Sequence, residues 1–253
     1  MATIAENIQT LKSIKSDIKN AIIQKGGSVT DAFGTYAQAI TNLPSGGGNE
    51  DLVNLIERDV TSFTIPDGTT KIGYYAFSYC TSLTNVTIGN GVTQIGNYAF
   101  YYCKALTDVT IPNSVTSIGN AAFSDCSGLT NVTIGNSVTS IGNSAFSYCS
   151  SLTSVTIGNG VTSIGNSAFY YCSDLMDVTI GNGVTSIVNH AFSGCSSLTS
   201  LTILATTPPT LNSSAFNNTN NCPIYVPAES VDAYKTATNW SAYADRIQAI
   251  PTV

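Results

Sequence analysis

LTSVTIGNGVTSIGNSAFYYCSD, residues 152–174, is one copy of a unit that recurs every 23 residues along most of the chain. The apolar positions of the unit scarcely change between copies, whereas the positions between them vary. The recurring aromatic and thiol residues are Phe77, Phe100, Phe123, Phe146, Phe169 and Phe192, and Cys80, Cys103, Cys126, Cys149, Cys172 and Cys195. A fixed period of this length is typical of a solenoid in which each copy forms one coil.

The first half of each unit predicts two strands joined by a turn. Within LTSVTI (152–157), inward Val155 and Ile157 alternate with threonine, and the stretch is rich in β-branched residues, which indicates a strand with one buried face. The following GNG predicts a turn, and VTSIG (161–165) predicts a second short strand. Because every copy repeats this pattern, we expect the strands to lie parallel and in register.

The second half of the unit predicts a short helical turn. Asn143 is of the type that caps helices, so about one turn of helix is expected through Ser144 and Ala145 to Phe146. A single unit buries too little apolar surface to offset the entropy of ordering its 23 residues. The coils must therefore stabilise one another by stacking, and the invariant residues are those that stack.

The pattern also locates both ends of the array. The first copy begins near residue 60, since Val60, Phe63 and Ile65 lie one period before Leu83, Val86 and Ile88. At the far end Phe216 comes one residue late, after which the period recovers with eight strands expected in all between residues 60 and 226. The next stretch, AESVDAYKTATNW (228–240), predicts a helix, and Trp240 is expected to close the open end of the core.

The unit quoted above resembles the repeat of the BspA-like leucine-rich repeat family, and CPIYVPAESVDAYKTATNWSAYADRI (222–247) is similar to the closing segment common in that family. The resemblance covers about residues 55–250. It implies a β-rich α/β solenoid: a right-handed leucine-rich repeat array with parallel strands and short helical turns, here over residues 50–250 with a carboxy-terminal cap from about 222. It also implies a surface-located, non-catalytic protein of bacteria or some protists, often an adhesin.

Residues 1–43 differ in kind and predict a small helical segment before the array. Apolar residues recur in alternating steps of four and three at Ile4, Ile8, Leu11, Ile18 and Ile22. This stripe fits either a helical hairpin folded on the array or a coiled coil that makes a homo-oligomer through residues 4–22. PSGGGN (44–49) predicts a flexible linker. IKNAIIQKGGSVTDAFGTYAQAI (18–40) weakly resembles phage tail-fibre-like proteins of gut bacteria.

Composition argues against two classes of partner. Only 9% of the 253 residues are charged and the net charge is −6, whereas nucleic-acid binding requires clustered Lys and Arg. No apolar stretch approaches the length that spans a bilayer. We therefore predict no nucleic-acid partner and no membrane insertion.

The predicted location depends on which resemblance is followed. The first twenty residues are polar where a secretory signal needs an apolar core, so the sequence predicts no signal peptide. The repeat family implies an extracellular or cell-surface protein. The tail-fibre resemblance implies a virion tail, whose proteins are released by lysis.

The seven cysteines invite a metal or disulfide interpretation. They lie at least 23 residues apart, which does not fit the paired ligands of a zinc site. Equivalent positions on stacked strands are about 4.8 Å apart, slightly beyond the usual Cβ separation of a disulfide. The favoured interpretation is a ladder of buried thiols, with three bridges between neighbours, or a metal site, as alternatives.

The remaining polar motifs predict neither catalysis nor a cofactor. TIGNGVTQIG (87–96) contains Gly-x-Gly but has Gln94 where a dinucleotide fingerprint needs its third glycine. His190 is the only histidine and occupies a slot that holds tyrosine, alanine or serine in other copies. Asp174 and Asp177 replace serines of the preceding copy. We predict no catalytic residue, no metal ligand and no cofactor.

The variable slots around each phenylalanine predict a recognition surface. They hold tyrosine among small polar residues, a composition typical of such surfaces because tyrosine covers a large area at low entropic cost. The candidate ligand-binding residues are Tyr75, Tyr79, Tyr98, Tyr101, Tyr102, Tyr148, Tyr170 and Tyr171. Two alternatives stay open: that these rings only shield the phenylalanine row, or that ligands bind the strand face at Asn85, Thr87, Asp108, Thr110, Asn131 and Thr133.

The predicted function is non-catalytic binding or adhesion, in which the solenoid recognises a host or cell-surface protein or glycan. One alternative is a phage tail-fibre-like receptor-binding protein. The other is a glycan-acting enzyme, which would need an acidic pair that breaks the repeat.

Overall fold

The computed structural model describes residues 60–251. They form a solenoid whose coils each contribute one strand to a long sheet and one to a short-strand sheet. The long sheet contains β1 (Ser62–Ile65), β3 (Asn85–Ile88), β5 (Asp108–Ile111), β7 (Asn131–Ile134), β9 (Ser154–Ile157), β11 (Asp177–Ile180), β13 (Ser200–Ile203), β15 (Ile224–Val226) and β16 (Ile247–Ala249). The other contains β2 (Lys71–Ile72), β4 (Gln94–Ile95), β6 (Ser117–Ile118), β8 (Ser140–Ile141), β10 (Ser163–Ile164), β12 (Ser186–Ile187) and β14 (Thr210–Leu211).

Both sheets are parallel, and their register follows the sequence period. Val132 of β7 pairs with Val155 of β9, one period away, and Ser140 of β8 pairs with Ser163 of β10. The eight long strands predicted between residues 60 and 226 are confirmed. The ninth, β16, was not predicted; it pairs with β15 at the carboxy-terminal edge of the sheet.

The core consists of columns of identical side chains that run along the solenoid. In most long strands, buried residues alternate with exposed ones, as predicted for Val155 and Ile157. Phe123, Phe146 and Phe169 are fully buried, and the rings of Phe123 and Phe146 are parallel with centroids 5.3 Å apart. Each repeat phenylalanine therefore stacks on the equivalent phenylalanine of the next coil.

The helical turn predicted after Asn143 is wrong. Ser144 adopts a left-handed φ of 54°, and the Phe146 N–H donates to the Ala168 carbonyl of the next coil, 2.8 Å away. The backbone here forms hydrogen bonds between coils as well as within the turn. In a helix these N–H groups would instead donate to carbonyls of the same segment. The Asn143 side chain also bridges coils, because its Oδ1 accepts a hydrogen bond from the Asn166 N–H at 2.8 Å.

The carboxy-terminal end is capped as predicted. A 3₁₀ helix (Ala228–Ser230), helix α1 (Val231–Thr236) and a second 3₁₀ helix (Ser241–Arg246) lie between β15 and β16. Trp240 is fully buried, lies 6.0 Å from the Phe216 ring, and donates its indole N–H to the Pro209 carbonyl at 2.7 Å. Phe216 stays near-parallel to Phe192, so the chain accommodates the extra residue without breaking the column.

The predicted segment 1–43 and linker 44–49 lie outside the described residues, as do the alternatives of a hairpin and a coiled coil through residues 4–22. Within residues 60–251, no helix has both the length and the apolar character to cross a bilayer.

Candidate recognition ridge

The segment around each repeat phenylalanine forms a third face of the solenoid, which we call the ridge. It extends from two residues before the phenylalanine to two residues after it. The N–H groups of Tyr98, Phe100 and Tyr102 donate to carbonyls of the next coil at 2.8, 2.7 and 2.8 Å. Each coil of the ridge is therefore fixed to the next by backbone hydrogen bonds, as in a sheet.

The ridge holds non-glycine residues in the left-handed region at regular positions. The residues with positive φ two before the phenylalanine are Tyr75, Tyr98, Ala121, Ser144, Ser167 and His190; those two after it are Tyr79, Tyr102, Asp125, Tyr148, Tyr171, Gly194 and Asn218. This conformation costs a non-glycine residue about 1–2 kcal/mol. It persists here because the ladder between coils and the stacked core fix the backbone.

Five of the eight candidate tyrosines form one continuous cluster, the first tyrosine cluster. Tyr75 and Tyr98 are near-parallel with ring centroids 4.9 Å apart. Tyr101 meets Tyr79 edge to face at 5.3 Å and Tyr98 at 5.8 Å, and Tyr102 lies 5.1 Å from Tyr79. Their rings therefore support one another across two coils.

The other three form the second tyrosine cluster. Tyr148 and Tyr171 are near-parallel at 5.6 Å, and Tyr170 meets Tyr171 edge to face at 4.5 Å. His190 extends this cluster, with its ring 6.0 Å from that of Tyr170. The structure thus divides the predicted residues into two groups.

The coil between the clusters has no tyrosine on the ridge. Ala121, Ser124 and Asp125 stand where neighbouring coils have tyrosine. Next to this coil, the Lys104 ammonium lies 4.2 Å from the centroid of the Tyr102 ring, within cation–π range.

The tyrosines are both exposed and held in place. Tyr75, Tyr79, Tyr98, Tyr148 and Tyr171 expose between 37% and 46% of their surface, and the other three are half-buried. Tyr74, which sequence comparison missed because it lies outside the variable slots, is 50% exposed. The rings thus pack on one another and also present surface to solvent, as a recognition surface requires.

Two hydroxyls of the clusters, those of Tyr101 and Tyr170, have a raised pKa. Burial and, next, the charge of Asp125 raise the pKa of Tyr101, and burial among its neighbours raises the pKa of Tyr170. These groups therefore act as neutral hydrogen-bonding groups on an aromatic surface.

The sequence profile of the BspA type leucine-rich repeat region matches residues 56–176 and 162–239, in six copies. The chain belongs to this family. The match supports the repeat resemblance, and nothing in the comparisons supports the resemblance to phage tail-fibre-like proteins. No curated protein sequence matches this leucine-rich repeat chain.

Solved leucine-rich repeat structures are similar. One from Eubacterium ventriosum is 32% identical with a TM-score of 0.58, and the alignment covers 63% of this chain and 43% of that one. One from Bacteroides ovatus is 31% identical with a TM-score of 0.53, covering 65% and 47%. The leucine-rich repeat protein TpLRR of T. pallidum is 25% identical with a TM-score of 0.56, covering 74% of this chain and 83% of that one. The alignment thus spans less than half the length of the first two relatives.

The repeat cysteines lie in the core and not in a site. The expectation of buried thiols is confirmed, since all seven are buried and free. Burial raises the pKa of Cys195 to about 12 and those of Cys149 and Cys172 well above the ordinary value. These groups are therefore protonated and unreactive in the folded protein.

The other polar residues considered from the sequence do not come together in a common site. His190 is exposed, and its N–H donates to Ser214 Oγ at 3.3 Å. Asp174 and Asp177 are also exposed, and within residues 60–251 no group of His, Cys, Asp and Glu is arranged to hold a metal ion. A Cβ on Gly89 would lie 2.6 Å from the Ile65 carbonyl oxygen, so this glycine is required by the close approach of the preceding coil.

The rival strand face is flat and polar. Outward side chains of β3, β5 and β7 are exposed, and Asn131 Nδ2 donates to Asp108 Oδ1 at 2.8 Å across coils. This face already pairs some of its polar groups and has no aromatic residue on those three strands.

Proposed function

We propose that this BspA type leucine-rich repeat protein is a non-catalytic recognition protein of the extracellular space or cell surface. It binds a host or cell-surface protein or glycan through the ridge. The observation that carries the proposal is the pair of exposed tyrosine clusters on a backbone ladder that fixes every coil. The resemblance to surface-located proteins of the same family supports the location.

Tyrosine suits a binding surface because it offers a large contact area at a low entropic cost. A tyrosine has two side-chain torsions and presents both an apolar ring and a hydroxyl. Contacts such as that between Tyr170 and Tyr171 at 4.5 Å restrict the rings before any ligand arrives. A preorganised surface loses less entropy on binding, so more of the contact energy appears as affinity.

The arrangement of polar groups favours binding over catalysis. Catalysis by acid and base needs groups that face a common substrate position. Asp125 lies beside neutral tyrosines, whereas Asp177 starts a strand of the long sheet, so the two carboxylates are on different faces. Asp125 is the only carboxylate of the ridge segments between residues 75 and 194, so the carboxylate pair of a glycan-acting site has no counterpart there.

The test is binding to an array of host glycans and extracellular proteins. The full chain should bind a subset saturably and leave those ligands chemically unchanged. A variant with Tyr101→Ser and Tyr102→Asn should lose most of that binding. These replacements match Ser124 and Asn218, which occupy the same slots in other coils, so the fold should be kept. Equal binding by both proteins would contradict the proposal.

A further inference from the structure

One column of the ridge places a single carboxylate between two pairs of tyrosines. In the first five coils, the residues two after the phenylalanine are, in chain order, Tyr79, Tyr102, Asp125, Tyr148 and Tyr171, and Gly194 and Asn218 follow in the last two. Each of the first five has a φ between 54° and 62°. The five residues therefore share one backbone conformation, and Asp125 lies between the pair Tyr79 and Tyr102 and the pair Tyr148 and Tyr171.

The coil spacing leaves a gap of defined width at Asp125. Ring centroids are 4.9 Å apart from Phe100 to Phe123 and 5.3 Å apart from Phe123 to Phe146, which are the three coils concerned. Tyr102 and Tyr148 are thus separated by about 10 Å along the solenoid. A cation midway along this spacing would be about 5 Å from each of the two flanking coils, a separation that cation–π attraction can span.

The carboxylate at the centre of the gap is held in position. Ser124 Oγ donates to Asp125 Oδ2 at 2.9 Å. Within residues 60–251, Asp125 Oδ1 has no hydrogen bond to another side chain or backbone group. Asp125 is half-buried, so one oxygen is fixed by the ridge while the other can accept from a ligand.

The protein already contains one instance of this chemistry. The Lys104 ammonium lies 4.2 Å from the Tyr102 ring centroid, which shows that the ring accepts a cation on its surface. Lys104 also adds a like charge beside the gap, so it should oppose a second cation there. Asp125 is therefore expected to raise the affinity for a cationic group in the gap, and Lys104 is expected to lower it.

We propose that Asp125, Tyr102 and Tyr148 form a cation slot that receives an arginine side chain of a protein ligand. The inference rests on the proposed function and makes its ligand more specific. A planar guanidinium can lie against the tyrosine rings while its N–H groups bond the carboxylate, which an ammonium does less well. Glycan hydroxyls could hydrogen-bond the carboxylate but would not neutralise its charge, so charge complementarity favours a protein ligand.

The probe is a pair of short peptides, acetyl-Gly-Arg-Gly-amide and the same peptide with citrulline, which keeps the shape and removes the charge. Binding to the full chain is followed by NMR of the tyrosine side chains at millimolar peptide. The arginine peptide should shift the resonances of Tyr102 and Tyr148 saturably. The citrulline peptide should bind at least about fivefold more weakly.

Three variants separate the slot from general electrostatics. Asp125→Asn should weaken the arginine peptide about fivefold, and asparagine tolerates the left-handed backbone at this position. Lys104→Gln should strengthen binding, whereas Asp177→Asn is the control, since it makes the same charge change on the strand face. Equal binding of the two peptides, no saturable shift, or equal effects of Asp125→Asn and Asp177→Asn would each overturn the slot.

The slot and the proposed function can fail separately. If Tyr101→Ser with Tyr102→Asn abolishes array binding while Asp125→Asn keeps it, the ridge is the binding surface and the slot is wrong. If the arginine peptide binds at Asp125 but the tyrosine variant keeps all array binding, the slot stands and the proposed function is wrong.

Discussion

The Cys149 thiol donates a hydrogen bond to the carbonyl oxygen of Phe123, with Sγ 3.2 Å from the oxygen. The acceptor belongs to the preceding coil, 26 residues earlier, and four other coils repeat the bond: Cys103 to Phe77, Cys126 to Phe100, Cys172 to Phe146 and Cys195 to Phe169. This position of the repeat therefore needs a small side chain that packs in the core and also donates a hydrogen bond. This bond gives the recurring cysteine a structural role in the core.

Alkaline pH should destabilise the protein through these thiols. Burial raises their pKa in the folded state, so above the ordinary thiol pKa of about 8.5 the unfolded chain loses protons that the folded protein keeps. The stabilising contribution is complete below that pH and falls as pH rises, by about 1.4 kcal/mol per thiol per pH unit.

Urea unfolding between pH 7 and 10 measures this effect, with Cys149→Ala as the matched variant. Its free energy of unfolding is lower throughout, but its decline with pH should be shallower than that of the wild type by the contribution of one thiol. Parallel declines would show that the thiols do not cause the effect.

The phenylalanine column should carry much of the stability. Phe146 is fully buried, with the rings of Phe123 and Phe169 each 5.3 Å away. Phe146→Ala should lower the free energy of unfolding by about 3–5 kcal/mol. Ser144→Ala is the control, because Ala121 holds the same slot with a φ of 50°. Similar losses in both variants, measured by chemical denaturation, would refute core stacking.

The periodicity of the sequence contained most of the fold. It located the long strands, the phenylalanine column and the cap formed by Trp240. It did not reveal the backbone of the ridge, because Asn143 satisfies the local rules for a helix cap while its real partner, Asn166, lies one coil away. Strand β16 was missed because, although Ile247 lies one period after its partner Ile224, the residues between them include none of the recurring leucine, phenylalanine and cysteine residues.

The candidate site was predictable as a list of residues but not as an arrangement. Comparison of the copies identified all eight tyrosines, since variable slots are visible in one chain. The edge-to-face contact of Tyr101 with Tyr79 depends on left-handed residues that sequence alone does not indicate. The place of Asp125 between tyrosine pairs is visible in the sequence, but the hydrogen bond from Ser124 that holds its carboxylate is visible only in the structure.

Left-handed residues of the ridge offer a stabilising substitution. Ser144 has a φ of 54°, a conformation that glycine adopts without steric cost. Ser144→Gly should raise the free energy of unfolding by about 0.5–1 kcal/mol. In contrast, Ser154→Gly in β9 should lower it by about the same amount, because glycine weakens a strand. Thermal or urea unfolding of the two variants should therefore give changes of opposite sign, and equal signs would contradict the ridge backbone.

The isoleucine stripe at residues 4–22 predicts self-association through a coiled coil. Lys15 occupies the one missing position of the stripe, where a polar residue weakens a coiled coil but specifies its register. Light scattering of the full chain should show an oligomer at micromolar concentration, and Lys15→Ile should make it tighter. A monomer well above that concentration would remove the coiled coil and favour the helical hairpin.

The most direct test of the central claim compares the ridge with the strand face in binding the strongest ligand from the array. Calorimetric titration would use the wild type, Tyr101→Ser with Tyr102→Asn on the ridge, and Thr110→Ala with Thr133→Ala on the strand face, all checked for unchanged melting. We predict that the ridge variant binds at least about tenfold more weakly, equivalent to 1.4 kcal/mol, while the strand-face variant binds as the wild type does. Loss of affinity in the strand-face variant, with the ridge variant unaffected, would contradict the account.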